Sequence, residues 1–424
     1  MIHLKDSKEA TKDSAIESFK RGKYLYIPLL QHVGKSCDVI LVHVGDSVLK
    51  GQRLAQAHAQ VYSPVHSSVS GKVVAIKKHP HPVIGLANTV IIENDFKDSC
   101  CFQARTIEEI NSLSVEQIRE IIFACGIVGL GGASFPTHLK LNPPVKVDTL
   151  IINAAECEPF ITSDYRLMLE KADEIIKGVE LAQRCLSVKN VFIAIEDNKP
   201  LVIEIFKKAK LKPDYKIKVL KSAYPQGGEK QLIKNILNKE IPQGKLPFDI
   251  GVVVQNIATV FAVYEAIYLS KPLIERVVTV AGECIRTPKN VVVPIGTPVK
   301  DLVESCNNFK QFPKRIIFGG PMMGLAQFDM DTPVIKSTNA VLFFSSVEKK
   351  EDDPVCIRCG NCVEYCPLGL MPCFIKLHAD KQDWPLAKLY GYLDCMECGL
   401  CNYSCPQGIN LVESIKVAKK RMPR

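Results

Sequence analysis

The chain has 424 residues and a mass of 47.0 kDa, with 47% hydrophobic and 23% charged residues. That length implies two to four folded units, and the composition excludes wholesale disorder. Lysine and arginine number 54 against 45 aspartates and glutamates, a net charge of +9 that favours anionic partners such as nucleotides or an anionic membrane face. It is too diffuse to mark a nucleic-acid protein.

The opening stretch MIHLKDSKEATKDSAIESFK is polar and mixed in charge, without the apolar core of an export signal. Val42–Ile76 alternates apolar and polar residues between glycine turns and reads as a small β-barrel or sandwich. The histidines from His3 to His81 lack compact ligand spacing and read as surface or structural. Gly34-Lys35-Ser36 is no phosphate loop, because Leu29 stands where such a loop needs glycine.

The longest uncharged stretch, Ile121–Leu139, carries Gly126, Gly129, Gly131, Gly132 and Pro136, which argues against a membrane span. Instead, the helical IREIIFACG leads into a glycine loop, Gly126–Lys140, whose backbone amides can approach an anion while Lys140 adds positive charge. It misses the ordinary dinucleotide fingerprint, since Ser134 replaces the third glycine and no strand precedes it. Leu150–Asn153 reads as a buried strand, with Glu156 and Glu158 in the loop beyond it, where carboxylates can accept from ribose hydroxyls. Tyr224, Gly227, Gly228 and Glu229 precede a further helix, and DIGVVVQNIATVFAVYEAI reads as strand, loop with Asn256 and Thr259, then helix. Three strand–loop–helix units predict an α/β nucleotide-binding domain. Residues 275–345 carry short β-type runs, among which Gly319–Gly324 (GGPMMG) reads as a tight turn. Val347–Pro354 is a charged linker, and the basic end Lys419–Arg424 is a solvated tail or a contact for anionic lipid.

The 17 cysteines are the strongest signal. Cys356, Cys359, Cys362, Cys366 and Cys395, Cys398, Cys401, Cys405 form two C-x2-C-x2-C-x3-C-P runs, the spacing of two-cluster [4Fe-4S] proteins. Three thiolates on one loop reach three corners of an iron–sulfur cube, and the fourth cysteine of each run crosses to the other cube. The expected ligand sets are therefore Cys356, Cys359, Cys362, Cys405 and Cys395, Cys398, Cys401, Cys366. Zinc, which prefers separated pairs of ligands, fits poorly. Helical spacing between and after the runs predicts a helical cluster unit. The remaining cysteines, Cys373 among them, read as inert buried thiols.

Gly129–Lys140 looks like the flavin loop of the NADH-binding flavoprotein of respiratory complex I, and NAAECEP (Asn153–Pro159) resembles that protein's N-A-D-E-G-E-P. With the two cysteine runs, nearly the whole chain resembles the RnfC component of the Rnf ion-translocating electron transport complex. The resemblance implies FMN and NADH sites around Gly129, Gly131, Gly132, Phe135, Lys140, Asn153, Glu156, Glu158, Gly228, Glu229 and Asn256. Ala155 departs from it, standing where the complex I loop has aspartate. Val42–Ile76 looks like a biotinyl or lipoyl carrier domain that lacks the receiving lysine, since its hairpin reads Ala57-His58-Ala59-Gln60. Residues 275–346 resemble a β-grasp ligand-binding module. The expected organisation is a multidomain α/β chain: a β barrel-sandwich at 1–100, an FMN/NADH-binding α/β domain at 101–274, the β-grasp module at 275–346, and an α-helical two-[4Fe-4S] ferredoxin-like domain at 347–424. The implied activity is NADH-linked oxidoreduction without a classical acid or base, in a peripheral subunit on the cytoplasmic face of the bacterial inner membrane. Its partners would be other membrane subunits and, indirectly, ferredoxin. A soluble flavin/iron–sulfur cobalamin reductase of a microcompartment has the same layout and is the alternative. If the chain oxidises NADH, electron counting also makes a flavin the simplest solution: NADH gives two electrons together, and a [4Fe-4S] cluster accepts one.

Overall fold

A computed structural model describes residues 2–209, 211–346 and 354–421. Linker residues 347–353 and tail residues 422–424 lie outside it.

The first body is all antiparallel. A four-stranded sheet runs in the order Tyr24–Pro28, Gly85–Asn94, Gly71–His81, Ser47–Val48, and a three-stranded sheet in the order Val39–Ile40, Arg53–Gln56, Val65–His66. Leu25, Ile27, Leu54, Val65, Val73 and Ile92 fill the space between them. Residues 2–18, which sequence groups with this barrel, find partners in the other bodies. Ile2 pairs with Tyr224, Lys8 reaches the Glu156 carbonyl, and Glu17–Ser18 add a parallel edge to the strand Lys289–Pro294. The segment is too polar to supply a barrel core, so it follows hydrogen-bonding partners across two other bodies.

The second body is a parallel sheet in the order Tyr215–Leu220, Asn190–Glu196, Thr149–Ala154, Val252–Asn256. Its central strands are near-continuous apolar runs because both faces are covered. Leu150, Ile152, Ile193 and Val253 face the helices Val115–Ala124, Ala172–Leu186 and Ile257–Tyr268, while Ile151, Ala194 and Val254 face the helix Glu229–Leu237. Gly178 permits one of these contacts, since a Cβ there would lie 1.9 Å from the Val260 carbonyl oxygen.

The third body is a mixed six-stranded sheet, Glu17–Ser18, Lys289–Pro294, Glu275–Ala281, Ala340–Phe344, Arg315–Phe318, Leu325–Gln327, packed on the helix Val299–Ser305. The fourth is helical, with Pro372–Asp380, Trp384–Leu389 and Leu411–Arg421 enclosing Ile375, Ala379, Tyr392 and Ile415. Among the described residues no helix is long and apolar enough to cross a membrane.

Candidate functional site

The glycine loop leaves the helix Val115–Ala124 and closes on itself through Gly129 N–H to the Phe135 carbonyl at 2.9 Å. Gly131, Gly132 and Phe135 remain exposed at its tip. Leu130 N–H donates to Thr259 Oγ1 at 2.8 Å, which ties the loop to the helix Ile257–Tyr268. Thr259 therefore lies in the first turn of that helix rather than in the preceding loop. Asn256 caps the helix, accepting from Ala258 N, and its amide donates to Asp164 Oδ2 at 2.8 Å. Gly131 packs on Asn256, with room of only 3.1 Å for a Cβ. Asn153 donates to the Gly227 carbonyl at 2.9 Å. Sequence-predicted residues far apart in the chain thus meet at the carboxyl end of the parallel sheet, where ligands of such sheets bind. Ser134 Oγ and Thr137 Oγ1 in the loop, and Gln255 Nε2 beside it, are buried without a hydrogen-bond partner. Exposed glycine amides, a nearby lysine and orphaned buried polar groups suit a phosphorylated, hydrogen-bonding ring cofactor such as FMN.

Glu156 and Glu158 point inward. Glu156 accepts from Asp164 N at 2.8 Å, with Lys8 Nζ 3.7 Å from its other oxygen, and burial pushes its carboxyl up to about 7. Glu158 accepts from Met322 N and Met323 N at 3.1 and 2.9 Å, and burial raises it likewise to about 7. Both Glu158 oxygens are taken by backbone amides, while Glu156 Oε2 accepts no hydrogen bond among the described residues. A chain leaving a buried strand beneath two further bodies carries its polar groups into their contact.

One helix start links this site to the cysteines. Gly228 packs directly on Met396. Glu229 receives Lys140 of the loop at 2.8 Å, Lys230 reaches Asp394 at 3.0 Å, and Gln231 donates to the Pro367 carbonyl at 2.7 Å.

Cys366, Cys395, Cys398 and Cys401 line one cavity with Met396, Leu400 and Ile415. Two of these sulfurs accept a backbone N–H: Leu370 on Cys366 at 3.4 Å and Glu397 on Cys395 at 3.3 Å. Burial first, then the nearby thiols, pushes Cys398 up to about 11. Among the described residues no three Cys, His, Asp or Glu side chains converge on a single ion. The donor set and its N–H···S bonds fit an iron–sulfur cluster. In the other expected ligand set Cys356 and Cys359 are exposed, while Cys362 and Cys405 pack against Cys401, Ile409 and Val412.

Sequence reasoning misses three participants. Cys373 lies against Cys362, and burial with this neighbour pushes Cys362 up to about 11. Tyr224 stands out in sequence only for its place before a helix, yet its hydroxyl donates to the Cys398 carbonyl at 2.6 Å. The Gly319–Gly324 turn forms the wall above Gly399. A cysteine outside both runs, an aromatic before a glycine pair and a tight turn carry no local signal of such contacts.

Comparison with known proteins places these parts. Residues 2–97 match the model described as RnfC barrel sandwich hybrid domain, 122–265 the Nuo51 FMN-binding domain, 277–326 the SLBB domain and 355–409 the 4Fe-4S dicluster domain. The chain is 42% identical over 93% of its length, and 87% of the relative's, to the C component of the proton-translocating ferredoxin:NAD(+) oxidoreductase complex of Clostridium ljungdahlii. It is 39% identical over 99% of its length, and 96% of the relative's, to the Na(+)-translocating counterpart of Acetobacterium woodii. An air-oxidised NAD+-reducing [NiFe]-hydrogenase shares the fold with a TM-score of 0.52, at 17% identity over 74% of this chain and 64% of that one. With such identity over nearly its full length, the chain belongs to the RnfC family of ion-translocating oxidoreductase complex components.

Proposed function

We propose that this chain passes electrons between NADH and two [4Fe-4S] clusters by way of FMN, as a peripheral subunit of a membrane-bound ion-translocating complex. The observation that carries this reading is the helix start Gly228–Gln231, whose successive residues grip the glycine loop and the turns of Cys366 and Cys395. A two-electron site and a one-electron site held by one rigid element is what hydride-to-cluster transfer requires. Bound FMN would accept the pair and release electrons singly. Gly129, Gly131, Gly132, Phe135 and Lys140 would hold it, with Asn153, Asn256, Gly228 and Glu229 framing the pocket and Glu156 and Glu158 bracing it from behind.

In this reading Cys366, Cys395, Cys398 and Cys401 hold the cluster on the loop side. Cys356, Cys359, Cys362 and Cys405 hold the one that a neighbouring protein of the complex reaches, since two of those thiols are exposed. The relatives' names support ferredoxin and NAD as the end partners and other subunits as neighbours. The cytoplasmic face of the bacterial inner membrane is the matching location, because NADH and ferredoxin are there. The test is anaerobic reconstitution of the full chain with iron, sulfide and FMN, followed by NADH. Cluster EPR signals should grow in with NADH. Clusters that dithionite reduces and NADH does not would overturn the NADH-linked reading.

A further inference from the structure

Glu158, Tyr224 and the Gly319–Gly324 turn meet around one peptide unit of the second cysteine run. Tyr224 is 1% exposed, and its hydroxyl donates to the Cys398 carbonyl. Its backbone is pinned by pairing with Ile2, at 3.0 and 2.8 Å. The same hydroxyl faces the Glu158 carboxylate. Glu158 in turn holds the amides of Met322 and Met323, and the Met322 carbonyl oxygen stands 2.6 Å from the position a Cβ on Gly399 would take. The Cys398–Gly399 peptide is thereby clamped, by a hydroxyl on its oxygen and by a backbone wall against its α-carbon.

That peptide joins the ligand Cys398 to Gly399, whose φ of 79° opens the short helix Leu400–Tyr403. Rotating it would swing the Cys398 carbonyl and the Gly399 N–H about the ligating residue. Dipoles whose positive end faces a cluster favour the more negative, reduced state and raise the reduction potential. A hydroxyl on the Cys398 carbonyl polarises that peptide and makes its Gly399 N–H more positive beside the sulfur.

We propose that Tyr224 is a positioning residue that sets the reduction potential of the loop-side cluster, by fixing and polarising the Cys398–Gly399 peptide through its hydrogen bond to the Cys398 carbonyl. The inference rests on the reading that Cys366, Cys395, Cys398 and Cys401 hold that cluster. Tyr224 touches the inner run and not the exposed one, so the two potentials can be set apart within one small domain.

The test is Tyr224→Phe in the reconstituted full chain, followed by EPR at poised potentials. One cluster's midpoint should fall while the other stays, with iron content unchanged. Incorporating 3,5-difluorotyrosine at position 224, a stronger donor of nearly the same shape, should move that midpoint upward, and it decides the matter if the phenylalanine variant does not fold. Midpoints identical to wild type, or an equal shift in both clusters, overturn the role of Tyr224. A wild-type chain that binds no iron and sulfide is a separate result: it removes the ligand assignment itself, and the inference with it.

Discussion

The two cysteine runs share one backbone and differ in what surrounds it. Arg358, Gly360 and Gly369 in the first have φ of 59°, 82° and 63°, and their equivalents Glu397, Gly399 and Gly408 have 57°, 79° and 65°. Each run turns into a short helix, Asn361–Glu364 or Leu400–Tyr403. Yet the residue before the first run, Val355, is 73% exposed, while its equivalent Asp394 is 8% exposed and paired with Lys230. Cys398 and Cys401 are buried where Cys359 is exposed. Spacing makes the ligand loop, and the rest of the chain decides which copy faces inward. A repeated motif thus serves one internal and one external contact without altering its chemistry.

The sharpest way to break this comparison is to exchange which site is lost. Cys366→Ala should remove the inner cluster and abolish NADH-driven reduction of the outer one. Cys405→Ala should remove the outer cluster and leave the inner one reducible. Iron analysis and EPR after NADH read both. The reverse pattern would show that each run supplies all four of its own ligands.

A smaller effect separates the paired glycines. Gly360→Ala places a Cβ in open space, so its cost is the left-handed backbone alone, about 1–2 kcal/mol. Gly399→Ala meets the Met322 carbonyl oxygen at 2.6 Å and should cost about 1–3 kcal/mol more. Denaturant melts of the two variants should therefore differ, and equal losses would show that the inner turn is not held against Met322.

The smallest effect concerns charge. Lys230→Met removes one of the partners of Asp394, which also accepts from Gly244 N. It should cost on the order of 1–2 kcal/mol and loosen only the inner turn. Faster hydrogen exchange at residues 395–401, with residues 356–362 unchanged, would bear this out, and equal protection of both runs would refute it.

What was legible in the sequence is what short-range chemistry writes down. The cysteine spacing, the apolar strands Thr149–Ala154 and Val252–Asn256, and the glycine loop all announce themselves within a dozen residues. The inward turn of Glu156 and Glu158 does not, because their partners Asp164, Lys8 and Met322 come from three different segments. The Tyr224–Cys398 bond spans 174 positions and leaves no periodic trace. Cys373 falls outside both runs, so spacing alone assigns it no neighbour.

The amino-terminal strap carries a consequence for the order of assembly. Ile2, Lys8 and Glu17 find their partners at Tyr224, Glu156 and the strand Lys289–Pro294. On a ribosome these residues emerge before all of those partners, and they must wait while the antiparallel barrel behind them closes and roughly two hundred further residues are synthesised. A segment made before its partners is thus among the last to settle.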